Sequence, residues 1–310
     1  MTVAFVFPGQ GSQSVGMLDG FSGNATVARV LNDANTILGF SLTDLIAQGP
    51  LETLSLTVNT QPAMLACSVA FYEAWLERGG KVPALMAGHS LGEYSALCAS
   101  GAITLAEALP LVQFRAQAMQ EATPVGLGGM AALIGLDDET VTAVCEKARS
   151  AGEVAPANFN APGQVVIAGE NAALETAMAL AKEAGCRRAI RLPVSAPFHS
   201  VFMKPAADKL LPRLGSIAWQ TPRVPVVANV DAAIHPEADT IVARLTAQAF
   251  SPVLWVKSVQ TMVANGVTDI VECGPGKVLT GLVRRIAPEV KLHNIYDETT
   301  LNETLDALAN

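Results

Sequence analysis

The segment 86–96 reads Met-Ala-Gly-His-Ser-Leu-Gly-Glu-Tyr-Ser-Ala and continues the apolar run Val82–Ala87. Its centre, Gly88-His89-Ser90-Leu91-Gly92, has the Gly-x-Ser-x-Gly spacing of a nucleophile elbow. In that geometry a strand ends in a sharp turn, a helix begins, and the serine hydroxyl stands above the sheet edge. Flanking glycines keep the turn free of clashes. The N–H of the next residue, Leu91, points to where an oxyanion would develop, and the helix N-terminus favours negative charge there. A glycine-rich turn with a capping serine would give the same five residues. An apolar strand before it and a helix after it favour the elbow, and with it an α/β fold.

Working outward, Val3–Phe7 reads as a buried strand and Pro8-Gly9-Gln10-Gly11 as a turn into a helix. Helical periodicity runs over 26–48, 61–78 and 105–122, with short apolar runs between. Strands alternating with helices predict a parallel sheet covered on both faces. The middle of the chain differs. After a hinge at 124–129, the pattern gives a strand at 130–134 and a helix at 138–149. Strands at 154–159 and 164–168, a helix at 171–184 and a strand at 188–192 complete it. This βαββαβ order is the ferredoxin-like split unit. The expected organisation is a larger α/β-hydrolase-like core with a parallel sheet (1–124 and 195–310) and an inserted ferredoxin-like subdomain (125–194). Strands at 224–229 and 269–272 return the chain to the core.

Composition narrows the function. Half of the 310 residues are hydrophobic and 15% are charged, enough for a large core. Mean hydropathy is +0.35, yet no apolar run reaches the roughly 18 residues of a membrane-spanning helix. The N-terminus lacks the basic flank and apolar centre of a signal peptide. Five cysteines without a C-x-x-C pair fit reduced thiols in a cytoplasmic protein and argue against zinc. A net charge of −8 argues against general nucleic-acid binding.

A serine nucleophile needs a base, and there are four histidines. His89 adjoins Ser90, and successive side chains diverge. His235 and His293 are expected to face solvent. His199 lies in Pro193-Val194-Ser195-Ala196-Pro197-Phe198-His199-Ser200, a rigid turn that would bring it to the cleft between the two units. A buried structural histidine is the alternative. Arg115 shares a helix face with Val112, Ala116 and Met119. An arginine on an apolar stripe needs an anion, either a structural Asp or Glu or a substrate carboxylate. The loop 7–13, Phe-Pro-Gly-Gln-Gly-Ser-Gln, has neither nucleotide-binding spacing and is left to supply a second oxyanion N–H.

Together these segments resemble the malonyl-CoA:acyl carrier protein transacylase family. The segments are FPGQGSQ at 7–13, TQPA at 60–63, GHSLGEYSAL at 88–97, Arg115 in FRAQAMQ, PFHS at 197–200 and ECGPGKVLTGL at 272–282. The resemblance covers nearly the whole chain, and six motifs in order make it specific. It implies Ser90 as acylated nucleophile, His199 as base, and the N–H groups of Gln10 and Leu91 as oxyanion hole. Gln248 would orient His199 through its carbonyl, and Arg115 would grip a malonyl carboxylate. Asn160, Phe198 and Met119 would line the substrate site, with Phe198 disfavouring a branched acyl group. The implied reaction is ping-pong transfer from malonyl-CoA to acyl carrier protein, with coenzyme A thioesters as substrate and no metal or redox cofactor.

A cytoplasmic monomer is expected, working in fatty acid biosynthesis because no appended domain is present. A malonyltransferase acting in trans on a polyketide synthase is the alternative. An α/β-hydrolase esterase would order its residues Ser, acid, then a late His, and would have no use for Arg115. A non-catalytic carrier-binding module would not need Ser90, His199 and Arg115 together. Because carrier proteins are acidic, docking calls for a local basic patch drawn from Lys182, Arg187, Arg188, Lys204, Lys277, Arg284 and Arg285.

Overall fold

The computed structural model describes residues 1–194, 196–235 and 237–309. Ser195, where the second stretch of the larger unit was expected to start, lies outside the described residues, as do Pro236 and Asn310. Among the described residues, ten strands form two sheets. The first joins β1 (Val3–Phe7) and β2 (Leu85–Gly88) to four later strands, β7 (Val226–Val227), β8 (Ile234–His235), β9 (Asp269–Cys273) and β10 (Lys291–Ile295). Its order is β10-β9-β1-β2-β7-β8. All pairings are parallel except the edge pair β7–β8.

Alternation along β1 shows why this sheet forms. Phe5 and Phe7 join one core, where Phe5 packs on Tyr72 and Trp75 of the helix Thr57–Glu77. Ala4 and Val6 join the other, with Trp255, Val259 and Val283. A strand buried on both faces reads as a continuous apolar run, as VAFVF does. The helix Thr57–Glu77 is buried on nearly all sides, so its apolar residues do not form a single stripe.

The second sheet holds β3 (Gly128–Ile134), β4 (Val154–Ala161), β5 (Gln164–Glu170) and β6 (Arg188–Arg191). Its order is β4-β5-β3-β6, wholly antiparallel, with the helices Asp138–Ala148 and Asn171–Glu183 packed on one face. That is the ferredoxin-like arrangement expected from the βαββαβ order. Gly128 and Gly129, assigned to the hinge by sequence, instead open β3; a Cβ on Gly128 would lie 2.2 Å from the Gly169 carbonyl oxygen on β5.

Other boundaries also move. The 26–48 periodicity is two helices, Ala25–Leu38 and Leu42–Gln48, parted by Gly39 at φ 74. The strand expected at 224–229 shrinks to Val226–Val227, because the Asn229 N–H bonds to the buried Glu93 carboxylate instead of a neighbouring strand. β10 was not anticipated, and it carries His293. That histidine does not face solvent: its Nε2 meets Asp269 at 3.0 Å and its side chain is 15% exposed. His235 is likewise held by Asp231 at 2.9 Å.

The elbow is where the sheet meets the site. A Cβ on Gly88 would lie 1.8 Å from the Gly92 backbone, and one on Gly92 would lie 2.0 Å from the Phe7 carbonyl oxygen. Both obstacles are backbone and cannot rotate away. Gly92→Ala is therefore expected to destabilise the fold by about 1–3 kcal/mol in urea unfolding. Gly281→Ala is the control: it lies within the helix Val278–Ile286 with no atom near its Cβ position, and should gain roughly 0.5–1 kcal/mol.

Candidate active site

Ser90 sits between β2 and the helix Leu91–Ala99 with φ 53 and ψ −109, a conformation that non-glycine residues rarely adopt. Two bonds hold it there. The Ser90 N–H donates to Asn229 Oδ1 at 2.7 Å, and Asn229 Nδ2 donates to the Gly88 carbonyl at 2.6 Å. Asn229 thus bridges the two ends of the turn.

His199, also at positive φ (56), brings Nε2 to 2.7 Å from Ser90 Oγ. Its Nδ1 lies 2.9 Å from the Gln248 carbonyl oxygen. A carbonyl only accepts, so Nδ1 carries the proton and Nε2 presents its lone pair to the serine hydroxyl. Burial, and then the positive charge of Arg115, push the His199 pKa from 6.5 down to about 3. The ring is therefore neutral, as a base must be.

Arg115 is 1% exposed, on the helix Leu105–Glu121. Its Nη1 donates to Gln61 Oε1 at 2.8 Å; its Nη2 donates to Gln248 Oε1 at 3.0 Å and reaches Ser90 Oγ at 3.3 Å. The guanidinium also lies over the Tyr94 ring, 5.1 Å from its centroid. All its hydrogen-bond partners are neutral, and no carboxylate of the described residues lies within 4.0 Å. Of the two anions that the sequence left open, the structural Asp or Glu is not in contact.

A cavity of about 220 Å³ opens over these groups. Ser90, Leu91, Gln10, His199, Arg115, Met119, Asn160 and Phe198 all contribute to its wall, so residues scattered from 10 to 199 converge. Gln248 stands behind His199 rather than on the wall. Asn160 Oδ1 accepts from His89 Nε2 at 2.7 Å, so that nitrogen is engaged with Asn160 rather than with Ser90. Met130, Val166, Leu192, Val278 and Leu282 make the remaining wall largely apolar, drawn from the second sheet, the segment after it and the helix Val278–Ile286.

Comparison with known proteins agrees with this geometry. A family model described as acyl transferase domain matches residues 4–297. A malonyl CoA-acyl carrier protein transacylase from Salmonella typhimurium is 50% identical over 303 residues, covering 97% of this chain and 98% of the relative. The crystal structure of an acyl-carrier-protein S-malonyltransferase from Burkholderia pseudomallei superposes with a TM-score of 0.98 at 53% identity, covering 99% and 100% of the two chains. A malonyl-transacylase solved in complex with its type II polyketide-synthase acyl carrier protein gives 0.97 at 46% identity, covering 99% and 100%.

The chain belongs to the malonyl-CoA:acyl carrier protein transacylase family.

Beyond the residues that the family resemblance picks out, the structure adds Gln61, Glu93 and Asn229. Gln61 lies in the TQPA motif, and Glu93 follows the elbow in GHSLGE, so both were in view without a role. Asn229 had no local signal; it is 139 residues from Ser90 and meets it only through the fold. Glu93 is 3% exposed, and burial first of all lifts its pKa from 4.5 to about 7, against the opposing pull of Gln248, Asn229 and Arg115.

Direct titration tests the electrostatics. Followed by NMR of ring-labelled histidine, His199 should stay neutral well below pH 6.5 while the protein is folded, becoming cationic only near pH 3. Arg115→Met removes the second cause of the shift, so the titration should move up toward 6.5. A wild-type midpoint at 6.5 would contradict the burial argument.

Proposed function

We propose that this chain moves a malonyl group from malonyl-CoA to the phosphopantetheine thiol of acyl carrier protein through a malonyl ester on Ser90. The observation that carries this reading is the buried Arg115, a cation at the wall of the serine cavity with no carboxylate of the described residues within 4.0 Å. Ser90 Oγ attacks the thioester carbonyl carbon while His199 Nε2 takes its proton. The N–H groups of Gln10 and Leu91 are assigned to the oxyanion. The C–S bond then breaks, the departing coenzyme A sulfur takes the proton from His199, and the malonyl ester remains. In the second half the carrier thiol gives its proton to His199, attacks the ester, and releases Ser90.

Arg115 holds the malonyl carboxylate throughout, supplying orientation and selectivity. Acetyl-CoA would leave the guanidinium unmatched, and such sites reject the analogue strongly. Phe198, 8% exposed and packed with Met119 and Met130, leaves little room for a methyl branch. Acyl transfer between thiols changes no oxidation state, so the chemistry calls for no redox group. Domain limits near 125 and 194 put the cavity between the two units, where acyl groups enter.

No helix among the described residues is long and apolar enough to cross a membrane. The five thiols, none in a disulfide, fit the reducing cytoplasm. For the carrier, Lys277 and Arg284 are the favoured contacts. Both are exposed, and they cap or belong to the helix Val278–Ile286, whose Val278, Leu279 and Leu282 line the cavity. Arg285 is instead engaged by Gln164 and Pro162, and Lys204 by Asp208. Fatty acid synthesis is the favoured setting. The likeness to a transacylase solved with a polyketide carrier makes polyketide loading the second reading; relative kcat/KM for the two carrier types separates them.

Intact mass after brief mixing with malonyl-CoA should show a malonyl adduct that Ser90→Ala abolishes. Acetyl-CoA should give little adduct. Arg115→Ala should lower kcat/KM for malonyl-CoA by roughly 100-fold while affecting acetyl-CoA far less. Equal acetyl and malonyl adducts in the wild type would overturn the assignment of Arg115.

A further inference from the structure

Glu93 has no role in the mechanism above, yet it is a buried carboxylate beside the site. It stands in the first turn of the helix Leu91–Ala99. No cation of the described residues lies within 4.0 Å of it. Its Oε2 accepts two bonds, from Gln248 Nε2 at 2.7 Å and from the Asn229 N–H at 3.0 Å. Burying an anion without a cation is costly, as is burying Arg115 without an anion. The two costs occur one side chain apart.

That side chain is Gln248. Its Oε1 faces Arg115 at 3.0 Å, and its Nε2 faces Glu93 at 2.7 Å and the Ser90 carbonyl at 3.0 Å. The amide cannot be turned over, because that would set its NH₂ against the guanidinium and its oxygen against two acceptors. Its dipole therefore runs with the negative end toward the cation and the positive end toward the anion. A direct Glu–Arg contact would also balance the charges, but it would fill the guanidinium fork. With an amide between them, the charges balance and Arg115 keeps capacity for an outside anion; its Nε–H has no hydrogen-bond partner among the described residues.

We propose that Glu93 is a positioning residue that holds the counter-charge of Arg115 across the Gln248 amide and so limits how tightly Arg115 grips an acyl carboxylate. The proposal rests on the reading of Arg115 as the carboxylate holder. A site that binds malonyl too tightly would stall with the ester on Ser90, because ground-state binding does not speed the second half-reaction. Glu93 keeps the grip moderate by offering Arg115 a standing partner at one remove.

Glu93→Gln tests this. Glutamine has the shape of glutamate, and its one oxygen can accept both bonds that Oε2 accepts now. The charge is lost and the second carboxylate oxygen becomes an NH₂, so the variant is compared with the wild type above the raised pKa of about 7, where Glu93 is ionised. The expected result is a KM for malonyl-CoA lowered roughly ten-fold, a KM for acetyl-CoA unchanged, and a lower kcat for malonyl transfer. A merely structural role predicts the opposite: both KM values rise, or neither moves. Glu93→Asp, which keeps the charge, should hold the malonyl-to-acetyl ratio near the wild-type value, and thermal melting of each variant monitors folding. Adding Glu93→Gln to Arg115→Met should leave the malonyl KM of Arg115→Met unchanged. If Arg115→Met itself leaves the malonyl KM at the wild-type value, the carboxylate reading falls, and this proposal with it. If Arg115→Met raises that KM but Glu93→Gln does not lower it, the counter-charge idea alone is overturned.

Discussion

The turn at Ser90 is the constraint on which the site depends. A serine at φ 53 and ψ −109 stores strain of about 1–3 kcal/mol, and it stays there only because its surroundings over-determine it. Glycines 88 and 92 allow backbone to touch backbone, β2 fixes one end, and the buried helix Leu91–Ala99 fixes the other. Asn229 then ties the turn across its mouth with bonds to the Ser90 N–H and the Gly88 carbonyl. The strain places Oγ clear of its own helix and within 2.7 Å of His199. Much of the irregularity elsewhere follows from it: β7 stops at Val227 because the next residues are needed at the elbow rather than in the sheet.

The charges around the turn obey one rule. Each ionisable group is buried, and each is satisfied by a neutral dipole rather than by an opposite charge in contact. His199 leans on a carbonyl, Arg115 on two glutamine oxygens, Glu93 on an amide N–H and a glutamine NH₂. Burial acting on the imidazole with a cation nearby keeps it neutral. Gln248 is central to this arrangement because its backbone carbonyl serves His199 and its side chain serves Arg115 and Glu93. In an interior of low dielectric such a network is worth having only when its dipoles are fixed, and the packed walls on both sides fix them.

The second sheet supplies one side of the cavity. Met130, Asn160, Gln164 and Val166 reach the site from β3, β4 and β5, and the segment after β6 returns the chain with Phe198 and His199. The chain therefore runs through the second sheet before it brings His199 to the cavity. This explains why His199 follows the insertion in sequence, whereas the esterase arrangement would place its histidine late.

By itself the sequence determined the parts whose signal is local. VAFVF, the elbow pentapeptide, the βαββαβ alternation and the lone arginine on an apolar helix face each follow from residues adjacent in the chain, because backbone sterics and hydrophobic period act over a few residues. The resemblance of six ordered motifs then named Ser90, His199, Arg115, Gln10, Leu91, Gln248, Asn160, Phe198 and Met119, and all but Gln248 meet on one cavity wall. What no short stretch encodes is pairing over long separations. That Arg115 would face two glutamines rather than an acid, that Asn229 would clasp Ser90 across 139 residues, and that His293 would pair with Asp269 were decided by the packing of the sheets. The boundary errors share that cause: Gly128 belongs to a strand because Gly169 lies against it, and β10 forms because β9 offers it a free edge. Local pattern sets what each segment can be, and long-range burial and hydrogen bonding decide which groups meet, because the free energy of those contacts exists only once the chain has closed on itself.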